Sequence, residues 1–214
     1  MMLLAATVIL DIFRIDLTLA DRIYQLQGDN WSLKDNWLLE GIIHKGGRTF
    51  VGALVILNLT ALVATHTIPA MAKFRRSLVY LLVAVIVSLV IVSGLKTVTH
   101  IDCPWSFQRF GGDNLASPVF SDIFGSGTGR CFPAGHASGG YAWVALYFVC
   151  LLYWPRWRFF GLAFALLLGG IFGISQQLRG AHLLSHDIWT LAICWFTPLT
   201  GYIWLQRPAA MRSE

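Results

Sequence analysis

Apolar residues in this chain come in long runs, and the polar residues gather between them. Residues 50–69, 78–95, 137–154, 159–175 and 188–205 consist largely of Val, Leu, Ile, Phe, Ala and Gly. Each run approaches the roughly 20 residues that an α-helix needs to cross the hydrocarbon core of a bilayer. Residues 2–20 begin in the same way and then carry Asp11, Arg14 and Asp16. They make the weakest of six expected spans. Either Asp11 and Arg14, at i,i+3, pair on one face, or the helix leaves the membrane near Arg14.

Residues 21–49 are polar, with Trp and Leu interspersed. Ser32-Leu33-Lys34-Asp35 resembles a capping box. The stretch from Asn36 to Ile43 is amphipathic, and Gly46-Gly47 is a stop signal. The pattern predicts a short helix lying in the membrane interface, with Trp31 and Trp37 at headgroup depth. His44 and Arg48 then face either a headgroup or water. Inside the second run, Asn58 and His66 are expected to form helix–helix hydrogen bonds.

Composition supports this reading. The 214 residues are 56% hydrophobic and 13% charged, with a mean hydropathy of +0.63. That is too little charge to cover a water-soluble core. The expected fold is all-α: one domain over 1–214, a polytopic membrane bundle of about six transmembrane helices. The net charge of +5 does not imply nucleic-acid binding, because the bases are scattered in short segments between runs. Lys73, Arg75 and Arg76 form one basic turn, Arg156 and Arg158 another, and Arg207 and Arg212 lie in the tail. The positive-inside rule puts all three in the cytoplasm. Segments 21–49, 97–136 and 176–187 then share the opposite side, which is the periplasm if the membrane is a bacterial inner membrane. Met1-Met2-Leu3-Leu4 lacks a basic leader region, so no cleavable signal peptide is expected.

The candidate chemistry lies in those outer segments. Lys96 ends the third run, Cys131-Phe132-Pro133-Ala134-Gly135-His136 leads into the fourth, and His182 to Asp187 precede the sixth. A histidine just after Pro-x-Gly falls in the first turn of a buried helix, where free N–H groups and the helix dipole favour an anion such as phosphate. Taken singly, Lys96 is a snorkelling lysine and each histidine an interface residue. At one membrane level, they read as one site. Cys103 and Cys131 share the 97–136 loop and are either a disulfide or two free thiols. Cys150 and Cys194 fall inside apolar runs, as packing residues.

At these residues the chain resembles the type 2 phosphatidic acid phosphatase superfamily, in a divergent bacterial form. That family's signatures are Lys-x6-Arg-Pro, Pro-Ser-Gly-His and Ser-Arg-x5-His-x3-Asp. Here they read Lys96-x6-Cys103-Pro104, Pro133-Ala134-Gly135-His136 and Ser175-Gln176-x5-His182, with His186 at the acid position and Asp187 one step later. The likeness covers about residues 75–205. Two arginines are missing, at Cys103 and Gln176. Arg130 and Arg179 are the candidate replacement cations, and Arg109 a weaker one.

The resemblance implies a lipid phosphatase that needs no cofactor or metal and forms a phosphohistidine on His182. His136 is the implied acid and then base. Asp187, or His186 at the aligned position, fixes the tautomer of His182. Lys96, Arg130, Arg179, Gln176 and the N–H groups near Gly135 hold the phosphate. The implied partners are a phosphorylated lipid substrate and membrane lipids. Four alternatives stand beside this reading. The same site serves a lipid phosphotransferase; the chain is a non-catalytic transport or assembly protein; His182 and His186, at i,i+4, bind zinc; or His186, after Arg179, is the nucleophile.

Overall fold

The computed structural model describes Leu10, Phe13 and residues 15–115 and 129–210. The described residues form a helical bundle. Five of its helical segments are long and apolar enough to cross a membrane: Trp37–Thr67, Pro69–Val98, Gly135–Tyr153, Pro155–Leu178 and Leu184–Leu205. Most of the expected first span, with Asp11 and Arg14, lies outside the described residues. So do residues 116–128 of the loop before the fourth run, and Arg212 of the tail.

In chain order, α1 (Ile15–Leu26) precedes a π-helical segment, Trp37–Gly46, that runs directly into α2 (Gly47–Thr67). A short turn leads to α3 (Arg75–Val98). A long loop follows, and then α4 (Gly135–Tyr141), which continues through a 3-10 turn into α5 (Ala145–Tyr153). α6 (Arg158–Leu178) and α7 (Leu184–Ala210) complete the bundle. In a bilayer the backbone must satisfy its own hydrogen bonds, so each long apolar run closes into a helix. The helices are longer than the apolar runs: α3 extends through Lys96, α6 through Gln176, and α7 starts before His186 and Asp187. The polar residues at the run ends are thus held on rigid backbone.

The bundle is apolar on the outside as well as within. Ile56, Leu57, Val63, Val90, Phe160 and Leu167 are each more than 60% exposed, as a lipid-facing surface requires. On α3, Tyr80, Leu81, Ala84, Val85, Ser88 and Val92 form the buried stripe. At the centre, α4 packs against α6 and α7 through small residues, with Ala134, Ala137, Ala142 and Ala145 fully enclosed. At the end with the basic turns, Arg75 donates from Nη2 to the carbonyl of Thr65 at 2.8 Å, satisfying the C-terminus of α2.

Three expectations for the first half need correction. Ser32 does not cap the interfacial helix. Asn36 does: its side chain accepts from the N–H groups of Leu38 and Leu39, and Ser32 bonds to Gln27 instead. Gly46-Gly47 is not a stop, since both residues are helical and the chain continues into α2. Gly47 is there for space: a Cβ would come within 2.6 Å of the Phe172 ring. Asn58 is buried with no hydrogen-bond partner for its amide among the described residues, and His66 is exposed. Neither makes the expected interhelical bond.

Candidate active site

The three polar clusters meet at one end of the bundle, opposite the basic turns. Lys96, on the last turn of α3, lies along the first turn of α4. A Cβ on Gly135 would be 3.1 Å from Lys96 Cδ and 3.2 Å from Nζ. Glycine therefore leaves room for the ammonium at the helix start. Lys96 makes no ion pair with any described carboxylate, so its charge is open to a ligand.

His182 sits in the short connection between α6 and α7 and is only 6% exposed. Burial holds its imidazole well below the usual histidine range. Lys96 and then His186 and His136 push in the same direction, against the backbone at Cys131. The ring is neutral at physiological pH, which is the form able to attack phosphorus. Its Nδ1 is buried without a partner.

His136, one residue into α4, is half-buried between two rings. The His44 ring meets it edge-to-face at 4.6 Å, and the Phe172 ring lies against it at 4.3 Å. Its Nε2 is 3.1 Å from the carbonyl oxygen of Ile43. A carbonyl only accepts, so Nε2 carries a proton and Nδ1 is the nitrogen left for proton transfer.

The other expected site residues are placed differently from one another. Gln176 is buried, and its Oε1 accepts from Arg179 Nη1 at 3.2 Å. Arg179, the residue that follows α6, thus sets its guanidinium beside the side chain that stands where the arginine is missing. Arg179 is also held by the carbonyl of Lys34 and by Glu40. Arg130 is exposed and makes no hydrogen bond or ion pair with a described residue. Arg109 lies away from the site, paired with Asp21 on α1. Asp187 is not found as the acceptor on His182. Its carboxylate is turned to Gln177 and wedged against Gly173, where an added Cβ would lie 2.7 Å from Cγ. It braces the start of α7 against α6. His186 is fully enclosed, with its ring 5.7 Å from that of His182 and both nitrogens without partners. A zinc site on these two histidines needs further ligands, and among the described residues no three His, Cys, Asp or Glu side chains gather.

The surrounding loops lock this end. Cys103 and Cys131 form a disulfide, with Cα atoms 5.2 Å apart. The bonded strap continues through Phe132, whose carbonyl accepts from Thr99 Oγ1 at 2.7 Å. Gly180 has φ +71 and faces the Trp31 indole, so only glycine fits the turn after Arg179. Trp31 is therefore packed with Tyr24 and Phe110, while Trp37 points outward. Asp16 of α1 accepts from the N–H of Ser185, capping α7 from another helix. Reduction of the disulfide, which spans 28 residues, is expected to cost roughly 3 kcal/mol. A lower melting temperature in detergent with reductant, matched by Cys103→Ser without it, checks this.

Sequence reasoning missed Glu40, Ile43 and His44 as neighbours of the site. The only signal was a Glu and a His four residues apart in an amphipathic stretch.

Residues 77–209 match the family model of the PAP2 superfamily, and the chain belongs to that superfamily. At that level it is a multi-pass membrane phosphatase, since the superfamily generally hydrolyses phosphoesters. No curated protein and no solved structure matches the chain.

Proposed function

We propose that this protein removes phosphate from a lipid phosphomonoester or diphosphate through a phosphohistidine. The observation that carries the reading is the unpaired Lys96 ammonium beside Gly135, bearing on a buried, neutral His182. A transferring phosphoryl group needs fixed positive charge at its oxygens and a nucleophile in line. Lys96 supplies the first and His182 the second.

In the first half-reaction a neutral nitrogen of His182 attacks phosphorus, and the bond to the lipid oxygen breaks. His136 enters this step as the imidazolium, with one proton held by the Ile43 carbonyl at Nε2, and gives the leaving oxygen the other from Nδ1. In the second half His136 takes a proton from water, the resulting oxygen attacks phosphorus, and the P–N bond breaks. Inorganic phosphate leaves and both histidines are restored. The basic turns at the opposite end support a site on the outer face of the membrane, the periplasmic face in a bacterial inner membrane.

Phosphate release from a panel of lipid phosphates, by purified protein in detergent with EDTA, is the direct test. Release from at least one lipid is expected. Phosphate passed to a second lipid and not to water would make the protein a phosphotransferase with the same histidines. No turnover of either kind would support the non-catalytic reading.

A further inference from the structure

The π-helical segment Trp37–Gly46 reaches the site although nothing in the signature motifs lies on it. Its outward side chains are those of a membrane-facing helix: Trp37, Leu38 and Ile42 are 71%, 44% and 52% exposed. Its inward side carries Glu40, Ile43 and His44. The Glu40 carboxylate holds three cationic or polar groups at once. His44 Nδ1 lies 3.1 Å from Oε2, Lys45 Nζ lies 3.4 Å from Oε1, and Arg179 Nη2 pairs with Oε2. Arg179 is 7% exposed, its Nε donates to the Lys34 carbonyl and its Nη1 to Gln176. Glu40 therefore ties the segment to the end of α6 through a buried guanidinium that is bonded at each of its three nitrogens, a stronger link than an exposed ion pair.

What that link fixes is His136. Three neighbours in one stretch of chain touch or border its ring: the Ile43 carbonyl on Nε2, the His44 ring against it, and Gly47, where an added Cβ would lie 3.4 Å from Cε1. The Ile43 contact sets the tautomer, and the His44 and Phe172 rings set the plane. His182, by contrast, makes no hydrogen bond, ion pair or ring contact with the described residues of this segment. We infer that Glu40 is a positioning residue for proton transfer: by clamping the Trp37–Gly46 segment to Arg179 it aims Nδ1 of His136 at the leaving oxygen. The inference rests on the phosphatase reading above.

It has a consequence that a purely structural clamp lacks. An alkyl leaving group departs as an alkoxide and depends on the acid, whereas a nitrophenolate leaves without one. The test compares kcat/KM of the full-length wild type, Glu40→Gln and Glu40→Asp in detergent. The substrates are a dialkylglycerol phosphate and 4-nitrophenyl phosphate. Glu40→Gln is expected to lower the alkyl phosphate rate about tenfold or more and the nitrophenyl rate by less than about threefold. Glu40→Asp is expected to recover most of the alkyl rate. Equal losses on both substrates would make Glu40 a clamp for the fold alone and overturn the inference, as would no loss on either. If the wild type hydrolyses neither substrate, the phosphatase reading itself falls, and the role of Glu40 falls with it.

Discussion

Replacing His182 with alanine is expected to lower phosphate release by at least about a thousandfold. It is also expected to abolish a base-stable, acid-labile phosphoenzyme trapped during turnover. The loss is expected on alkyl and nitrophenyl phosphates alike, because the nucleophile is needed whatever the leaving group. That separates His182 from Glu40, whose effect depends on the leaving group. The setting explains the size of the effect. His182 is enclosed and neutral, and the one other described histidine as buried is His186, which lies on the first turn of α7. A His182→Ala enzyme that still forms the phosphoenzyme would move the nucleophile to His186, and His186→Ala would then be the variant that forms none. The pH dependence follows from the same burial. The folded His182 titrates well below its ordinary value of 6.5. It stays unprotonated as pH falls through 6.5, so phosphoenzyme formation is expected to show no loss there from this residue.

Lys96, His136 and His182 are legible in the sequence because each sits at the end of an apolar run. Membrane-spanning helices put such ends at a common level, so order along the chain translates into proximity. The disposition of Arg109 and Arg179 is not legible in that way. Both are arginines in polar connections, yet one is drawn to Asp21 and the other to Gln176 and Glu40. The choice is made by packing between segments far apart in sequence. Arg179, paired with Glu40, is followed by Gly180, which turns the chain under Trp31, and no helical periodicity records that turn. The Asn36–Ile43 stretch shows the limit most clearly. Its amphipathic pattern correctly marks one outward apolar side. The inward side reads as polar and therefore solvated, although it faces the His136 ring. Asp187 fails for a different reason. It lies one step beyond the signature position, on the first turn of α7, where its side chain is directed at Gly173 and Gln177.

The catalytic geometry also depends on two glycines that carry no chemistry. Gly140 on α4 and Gly169 on α6 face each other where the helices cross. A Cβ on Gly140 would lie 2.5 Å from Gly169 Cα and 2.6 Å from the Leu168 carbonyl carbon, and one on Gly169 would run into the Tyr141 ring. Backbone stands against backbone there, so no rotamer change relieves the overlap, and the helices must separate. Close approach through small residues is what holds helices together where lipid replaces water. Gly140→Ala is therefore expected to destabilise the protein by about 2 kcal/mol or more, although alanine is the better helix former. Gly170→Ala, one residue from the crossing, meets nothing within 4 Å. It is expected to leave the melting temperature unchanged or raise it slightly. Activity should follow the same division. α4 begins at the His136 turn, and α6 carries Phe172 against that ring before ending at Leu178. Moving the two helices apart by even about 1 Å displaces the acid from the leaving oxygen, a shift that costs on the order of a hundredfold in rate. Melting temperature and phosphate release measured on the two variants decide the matter. A Gly140→Ala protein as stable and active as Gly170→Ala would mean that the crossing is looser than these contacts require, and that the position of His136 is set by the Trp37–Gly46 segment alone.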